Sequence, residues 1–367
     1  MQYINVANEG VKSLSPYQAG KPIEELEREL GITNIVKLAS NENPFGFPES
    51  AKKAIQAQLD HLTRYPDANG FELKAAIAKK FSVQPNQITL GNGSNDLLEL
   101  FAHTFAGEHD EVIYSQYAFI VYPLVTKAIN AVAKEIPAKD WGHDLNGFLT
   151  ALSDKTKLIF IANPNNPTGR TAEPELMRKI VQKCAENSVY LVADECFNDF
   201  LLDAEQHALS GLLEAFPCLI LLRAYTKMFA VPGVRFGWCM TADRTVIDGL
   251  YRAGQPWNVS VIAQACAEAA AKQTGWREQT ARRIAEERAY LTDGLRSCGV
   301  KVYPGEANFL LFHSSDEKLD EKLRKQGIMI RNCSNYRGLG PGFYRTAVKT
   351  RDASEKLLHA LRQIQEI

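Results

Sequence analysis

An α/β fold, with a mostly parallel central sheet, helices on both faces and a smaller α+β domain, is what this sequence predicts. Three observations predict it. Short apolar runs alternate with helix-length stretches through the middle of the chain, the pattern of strands joined by crossover helices. Some runs are apolar almost without interruption, as in Leu219-Ile-Leu-Leu222, which reads as a buried strand. Polar or glycine-rich clusters sit just where five of these runs end. Parallel sheets bind ligands at the carboxyl ends of their strands.

The elements follow in order. Helical patterns cover 48–62, 71–81, 96–105, 173–187 and 264–295, and strand-like runs cover 88–90, 111–114, 131–136, 157–162, 189–193 and 219–222. From about Tyr251 a helical stretch leads into a second region. There 307–312, 328–331 and 344–348 read as strands and 352–367 as a closing helix. The expected division is an N-terminal segment, 1–40, packing on the small domain, then a large ligand-binding domain, 41–255, and a small C-terminal α+β domain, 256–367.

Composition excludes several classes. At 367 residues, 45% apolar and 23% charged, the chain is an ordinary globular protein with room for a sizeable core. A net charge of −1 gives no electrostatic footprint for nucleic acid or for an anionic membrane surface. No apolar run is long enough to span a bilayer, and the polar N-terminus predicts a cytoplasmic protein. The seven cysteines are scattered without a C-x-x-C pair, so neither a metal site nor a disulfide framework is expected. Cys196 follows two acidic residues but reads as a small buried residue.

The clusters carry the chemistry. Leu90 is followed by GNGSND and a helix pattern, a place where backbone N–H groups receive a phosphate or where Ser94 simply caps a helix. The segment is neither a dinucleotide fingerprint nor a Walker loop. Asp194 ends the run VYLVA, where a carboxylate is desolvated and wants a cation nearby. Asn166 sits in NPNNPTG, a turn from which an amide can face a ligand or merely shape the loop. Arg223, Thr226, Lys227 and Arg235 fall within LLRAYTKMFAVPGVRFGW, among residues that avoid water. Isolated charges there need partners or a ligand.

Pyridoxal 5′-phosphate fits this inventory: its phosphate suits GNGS and Arg235, its phenolic oxygen Asn166, its ring nitrogen Asp194 and its ring face Tyr117. Its aldehyde suits Lys227, which is then tolerated among apolar residues as an imine.

At these residues the chain resembles the fold-type I pyridoxal-phosphate enzymes, specifically the histidinol-phosphate aminotransferase family. SPYQAGKP, KLASNENPFG, RYPD, GNGSNDLLEL and NPNNPTG match that family's blocks in order. From about residue 190, DECFNDF, QPWNVS, ANFLLF and GIMIRNCSNYRGLGPGFYRTAVKT are also similar to threonine-phosphate decarboxylases. The resemblance implies that Lys227 is the Schiff-base lysine and that Asp194 keeps the ring nitrogen protonated. It implies that Asn166 donates to the phenolic oxygen and that Tyr117 stacks on the ring. Ser94, Asn95, Thr226 and Arg235 would bind the cofactor phosphate, and Tyr65 would reach a partner subunit's site in a homodimer. Arg331 and Arg345, with Asn41 and Tyr17, would hold the substrate's anionic group. Phe197 stands where these aminotransferases usually carry a tyrosine, so one hydrogen bond to the phenolic oxygen is missing.

The implied activity is transfer of an amino group from histidinol phosphate to 2-oxoglutarate, giving glutamate, in histidine biosynthesis. Decarboxylation of threonine phosphate in cobalamin biosynthesis is the alternative, and a non-catalytic cofactor-binding module a distant third.

Overall fold

The chain forms its strands where apolar runs let both faces be covered. The computed structural model describes residues 8–15 and 20–365. In chain order the strands are β1 Val36–Lys37, β2 Ile88–Gly91, β3 Glu111–Ser115, β4 Val132–Ile136, β5 Thr156–Ala162, β6 Tyr190–Asp194, β7 Leu219–Ala224 and β8 Gly237–Met240. After these come β9 Lys301–Val302, β10 Phe309–His313, β11 Ile328–Met329, β12 Arg331–Asn332 and β13 Phe343–Ala347. One seven-stranded sheet runs β2-β8-β7-β6-β5-β3-β4. Its members from β7 to β4 are parallel, whereas β8 runs antiparallel to both β2 and β7.

Side chains of successive strand residues point to opposite faces. Ile159, Ile161, Leu191, Ala193, Leu219 and Leu221 enter one core layer, and Leu158, Phe160, Val192, Ile220 and Leu222 the other. Each layer is closed by helices. Met177, Ile180 and Val181 of the helix Pro174–Glu186 cover the first, and Leu97, Leu98 and Phe101 of Ser94–Phe105 cover the second. The predicted α/β architecture, mostly parallel with helices on both faces, is the architecture found.

Local expectations differ in four places. The strand β8 was not anticipated, because a four-residue run beginning with glycine carries little strand signal. The single helix expected over 264–295 is two, Val261–Ala271 and Trp276–Ser297, separated where Gly275 adopts φ +76°. The helix Val121–Ala128 is unannounced in the sequence; Pro123 lies in its first turn, where a missing N–H is harmless. The run 328–331 divides at Ile330, with β11 pairing β1 in parallel and β12 pairing β13.

A second, antiparallel sheet, β12-β13-β10-β9, forms from the C-terminal region. Leu26, Ala39 and Met329 pack together beside β11. The short helix Glu9–Lys12 lies elsewhere, against Val121–Ala128, with the Gly10 N–H donating to Asn130 Oδ1 at 2.6 Å. A Cβ on Gly10 would fall 1.8 Å from the Lys127 carbonyl oxygen, so only glycine permits this approach. The helix Val261–Ala271, inside the region expected as the small domain, packs on Glu49–Ala57 and Phe71–Phe81. Among the described residues no helix is long and apolar enough to cross a membrane.

Candidate active site

The parallel strands β5, β6 and β7 end at one cleft, with a cavity of about 240 Å³. Ala162, Asp194 and Ala224, the last residues of the three strands, line it. Its floor thus comes from the large sheet. Arg331 and Arg345 close it from the antiparallel sheet.

One end of the cleft is an anion cradle. Gly93 takes φ +94° before the helix Ser94–Phe105, and a Cβ there would lie 2.4 Å from the Arg235 guanidinium. A Cβ on Gly237, in β8, would lie 2.7 Å from the Ser94 nitrogen. Two glycines therefore let the N-terminus of a twelve-residue helix and an arginine converge, the arrangement that receives an anion. Arg235 has no carboxylate partner among the described residues; its guanidinium donates only to the Pro232 carbonyl at 3.2 Å. The loop is pinned by Asp96, whose carboxylate accepts from the Asn92 N–H at 3.0 Å and from Asn258 at 2.6 Å. Ser94, Asn95 and Thr226 line the cavity beside Arg235.

The same cleft holds a buried acid. The Asp194 carboxylate accepts from the Tyr122 hydroxyl at 2.8 Å and from the Cys196 N–H at 3.0 Å. Burial raises its pKa, against these hydrogen bonds, which lower it. No cation among the described residues pairs with it.

Lys227 lines the same cleft. Its ammonium makes no hydrogen bond or ion pair among the described residues. Burial, reinforced by Arg345 and to a lesser extent Arg235, lowers its pKa to about 8, against Glu42 and Cys196, which raise it. An amine so placed is available as a nucleophile near neutral pH.

The third wall is cationic. Arg345 on β13 sits in register with Arg331 on β12. Arg345 is only 7% exposed, yet it meets neutral acceptors alone: Asn166 Oδ1 at 2.5 Å and the Ala39 carbonyl at 3.0 Å. Its Nε has no partner, nor has the buried Asn41 Oδ1 in the same wall. Because Arg345 occupies the Asn166 oxygen, the Asn166 amide N–H₂ is left for a ligand. Phe197 contributes an edge to the wall and packs T-shaped on Phe309 at 5.1 Å.

Two sequence expectations, Tyr117 and Arg223, are placed elsewhere. Tyr117 does not line the cleft. Asn165 donates to the Tyr117 carbonyl at 2.9 Å, and the ring stacks instead on Trp141 at 5.8 Å, in a cluster with Tyr303 and Tyr336. Two residues on, Phe119 reaches the cavity. A turn of the chain separates the two rings, and an aromatic pair in sequence cannot say which one turns inward. Tyr65 is 78% exposed and stacks on Trp257 at 4.6 Å, away from this chain's own cleft. Tyr17 lies outside the described residues. Arg223, one of the cations expected to await a ligand, is paired with carboxylates, Glu195 at 2.5 Å and Asp199 at 3.2 Å, although its Nε, like that of Arg345, makes no hydrogen bond.

Sequence reasoning missed Phe119, Tyr122 and Asp96. Only Asp96 left a readable signal, an acid in the first turn of a helix.

The cleft fits a flat ligand with an anionic end, an electrophilic centre and a protonated ring edge. The donor set supplies backbone N–H groups and Arg235, an unpaired amine, and a carboxylate lacking a cation.

Comparison with known proteins agrees. The chain matches the family described as aminotransferase class I and II over residues 33–361. It is 54% identical to histidinol-phosphate aminotransferase 2 of Haemophilus influenzae (strain 86-028NP), over 99% of each chain. Identity is 50% to histidinol-phosphate aminotransferase 1 of Mannheimia succiniciproducens, again over 99% of each. These alignments include the blocks after residue 190 that also resemble decarboxylases. Among solved structures, the histidinol-phosphate aminotransferase of Clostridium acetobutylicum superposes with a TM-score of 0.85 at 28% identity, covering 90% of this chain and 99% of that one. The Sinorhizobium meliloti histidinol-phosphate aminotransferase in complex with pyridoxal-5′-phosphate shares the fold, with a TM-score of 0.85 at 21% identity and 98% coverage of each chain. On the sequence, the fold and these matches together, this chain belongs to the aminotransferase class I and II family.

Proposed function

We propose that this chain is a pyridoxal-phosphate-dependent aminotransferase that moves the amino group of histidinol phosphate to 2-oxoglutarate. The observation that carries the reading is Lys227. Its amine, with its pKa lowered to about 8, lines the same cleft as an anion cradle and a buried carboxylate and has no partner among the described residues.

Each residue then has a task. Arg235, Thr226 and the N–H groups of Ser94 and Asn95 bind the cofactor phosphate. Asp194 holds a proton on the ring nitrogen, and the Asn166 amide donates to the phenolic oxygen. Phe119, rather than Tyr117, covers the ring. Pyridoxal phosphate, when bound, supplies an electron sink for the substrate's α-carbon. Lys227 would attach the cofactor and, as an amine with a lowered pKa, would take and return the proton at the substrate's α-carbon. Arg345, Arg331 and Asn41 hold the substrate's anionic group. Because Arg345 also touches Asn166, substrate and cofactor are oriented by linked groups.

A homodimer belongs to the same reading. Leu59, Leu62, Tyr65 and Phe71 expose large apolar side chains, and Tyr65 stacks on the exposed Trp257, which supports an interface there. Tyr65 would then serve the partner's cleft. A cytoplasmic location is supported by seven free cysteines, which suit a reducing compartment.

The test is incubation with histidinol phosphate and 2-oxoglutarate, and separately with threonine phosphate. Glutamate formation is the expected result. Carbon dioxide release from threonine phosphate without glutamate formation would transfer the assignment to a decarboxylase.

A further inference from the structure

Tyr122 is a fully buried tyrosine whose ring and hydroxyl have separate partners. The ring stacks on Phe160 at 5.0 Å, 8° from parallel, and meets Phe119 edge-on at 5.9 Å. The hydroxyl makes one hydrogen bond, 2.8 Å long, to Asp194 Oδ2. A phenylalanine would satisfy all of the ring packing. The oxygen is there for the carboxylate.

Resting on the cofactor reading above, we infer that Tyr122 is a positioning residue for Asp194: its hydroxyl holds the carboxylate ionised and turned toward the ring nitrogen of the bound cofactor. The donors facing Asp194 are the Tyr122 hydroxyl, the Cys196 N–H and the Cys196 thiol. These two side chains are also the titratable groups that face it. Both titrate far above neutrality because they are buried, so neither competes for charge with Asp194 at physiological pH. Burial alone drives Asp194 toward its neutral form, in which it could no longer hold a pyridinium proton. A hydrogen bond to a charged acceptor resists this by about one to two pH units. The same segment places Phe119 in the cavity wall, so the turn and helix after β3 would orient both the ring cover and the acid beneath it.

A double-mutant cycle on the whole protein tests this. Pyridoxal phosphate affinity is measured at pH 8 and pH 6 for the unaltered chain, Tyr122→Phe, Asp194→Asn and the pair. Tyr122→Phe is expected to weaken affinity about tenfold at pH 8 and by more at pH 6, with the thermal transition of the cofactor-free protein nearly unmoved. In the Asp194→Asn protein, adding Tyr122→Phe should change nothing further. Additive losses, or a loss equal at both pH values, would overturn the inference, because the hydroxyl would then act on packing and not through the carboxylate. Should Tyr122→Phe alone fail to fold, the comparison of Asp194→Asn with the pair still decides: a further loss in the pair overturns it and an unchanged affinity supports it. Absence of cofactor uptake by the unaltered chain would overturn the cofactor reading itself, and this inference with it.

Discussion

Two regions of the molecule bury an arginine, and they treat it in opposite ways. Beside β7, Arg223 is 4% exposed and bound to Glu195 and Asp199, its guanidinium over the Phe81 ring. In the cleft, Arg345 is buried nearly as deeply but finds an amide oxygen and a carbonyl, with no carboxylate. A buried charge without a counter-charge is costly. The first arginine is therefore part of the fold, and the second has no carboxylate partner among the described residues, as the proposed binding of a substrate anion requires. Lys227, half-buried in the same cleft, likewise has no carboxylate partner among the described residues, whereas Arg235 is exposed and its charge is not buried.

Substitutions sharpen the contrast, beginning with the largest effect. Lys227→Ala should abolish turnover and the visible absorbance of lysine-bound cofactor. A borohydride-reducible link between cofactor and protein in that variant would move the attachment to another residue.

The two arginines come next. Arg223→Ala should lower unfolding free energy by about 3–5 kcal/mol, since it strands two carboxylates, while leaving substrate KM unchanged in the folded fraction. Arg345→Ala should do the reverse. Its melting transition should hold, whereas KM for the amino donor and for the keto acid should both rise, by about 30- to 1,000-fold for a loss of about 2–4 kcal/mol. If Arg345→Ala loses stability instead and binds substrate normally, the comparison collapses and both arginines are structural.

A pH experiment follows. A lysine with a pKa of about 8 in place of 10.5 has about a tenth of its amines free at pH 7, against about one in 3,000 for an ordinary lysine. The rate of cofactor capture by the apo-protein should therefore rise with pH and level off above about 8. Stability has the matching sign. The folded pKa lies below the unfolded one, so burying the charged amine is unfavourable below pH 8 and this penalty fades toward 10.5. Lys227→Met should accordingly stabilise the cofactor-free protein below pH 8 and lose that advantage as pH rises. A capture rate still climbing at pH 10 would mean that the amine is not perturbed.

The smallest effect is expected at Phe197. Phe197→Tyr would offer a second hydrogen bond to the phenolic oxygen, worth about 1–1.5 kcal/mol, and should tighten cofactor affinity several-fold. An unchanged affinity would place the Phe197 ring away from that oxygen.

The sequence by itself determined which residues end the strands. Apolar runs long enough to be strands and too short to be helices located β5, β6 and β7 almost to the residue, and in a parallel sheet the ends of such strands are where a ligand lies. Asn166, Asp194, Lys227 and the GNGSND turn were legible for that reason. Periodicity carries no information on what a side chain meets across the fold, so the tertiary structure alone decided the rest. It paired Arg223 with Glu195 and left Arg345 without a carboxylate. It turned Phe119 into the cavity in place of Tyr117. It brought the Tyr122 hydroxyl, 72 residues away in sequence, against Asp194. Local sequence specifies backbone conformation within a few residues, whereas a charge or hydroxyl acquires its role from groups that only long-range packing brings within about 3 Å.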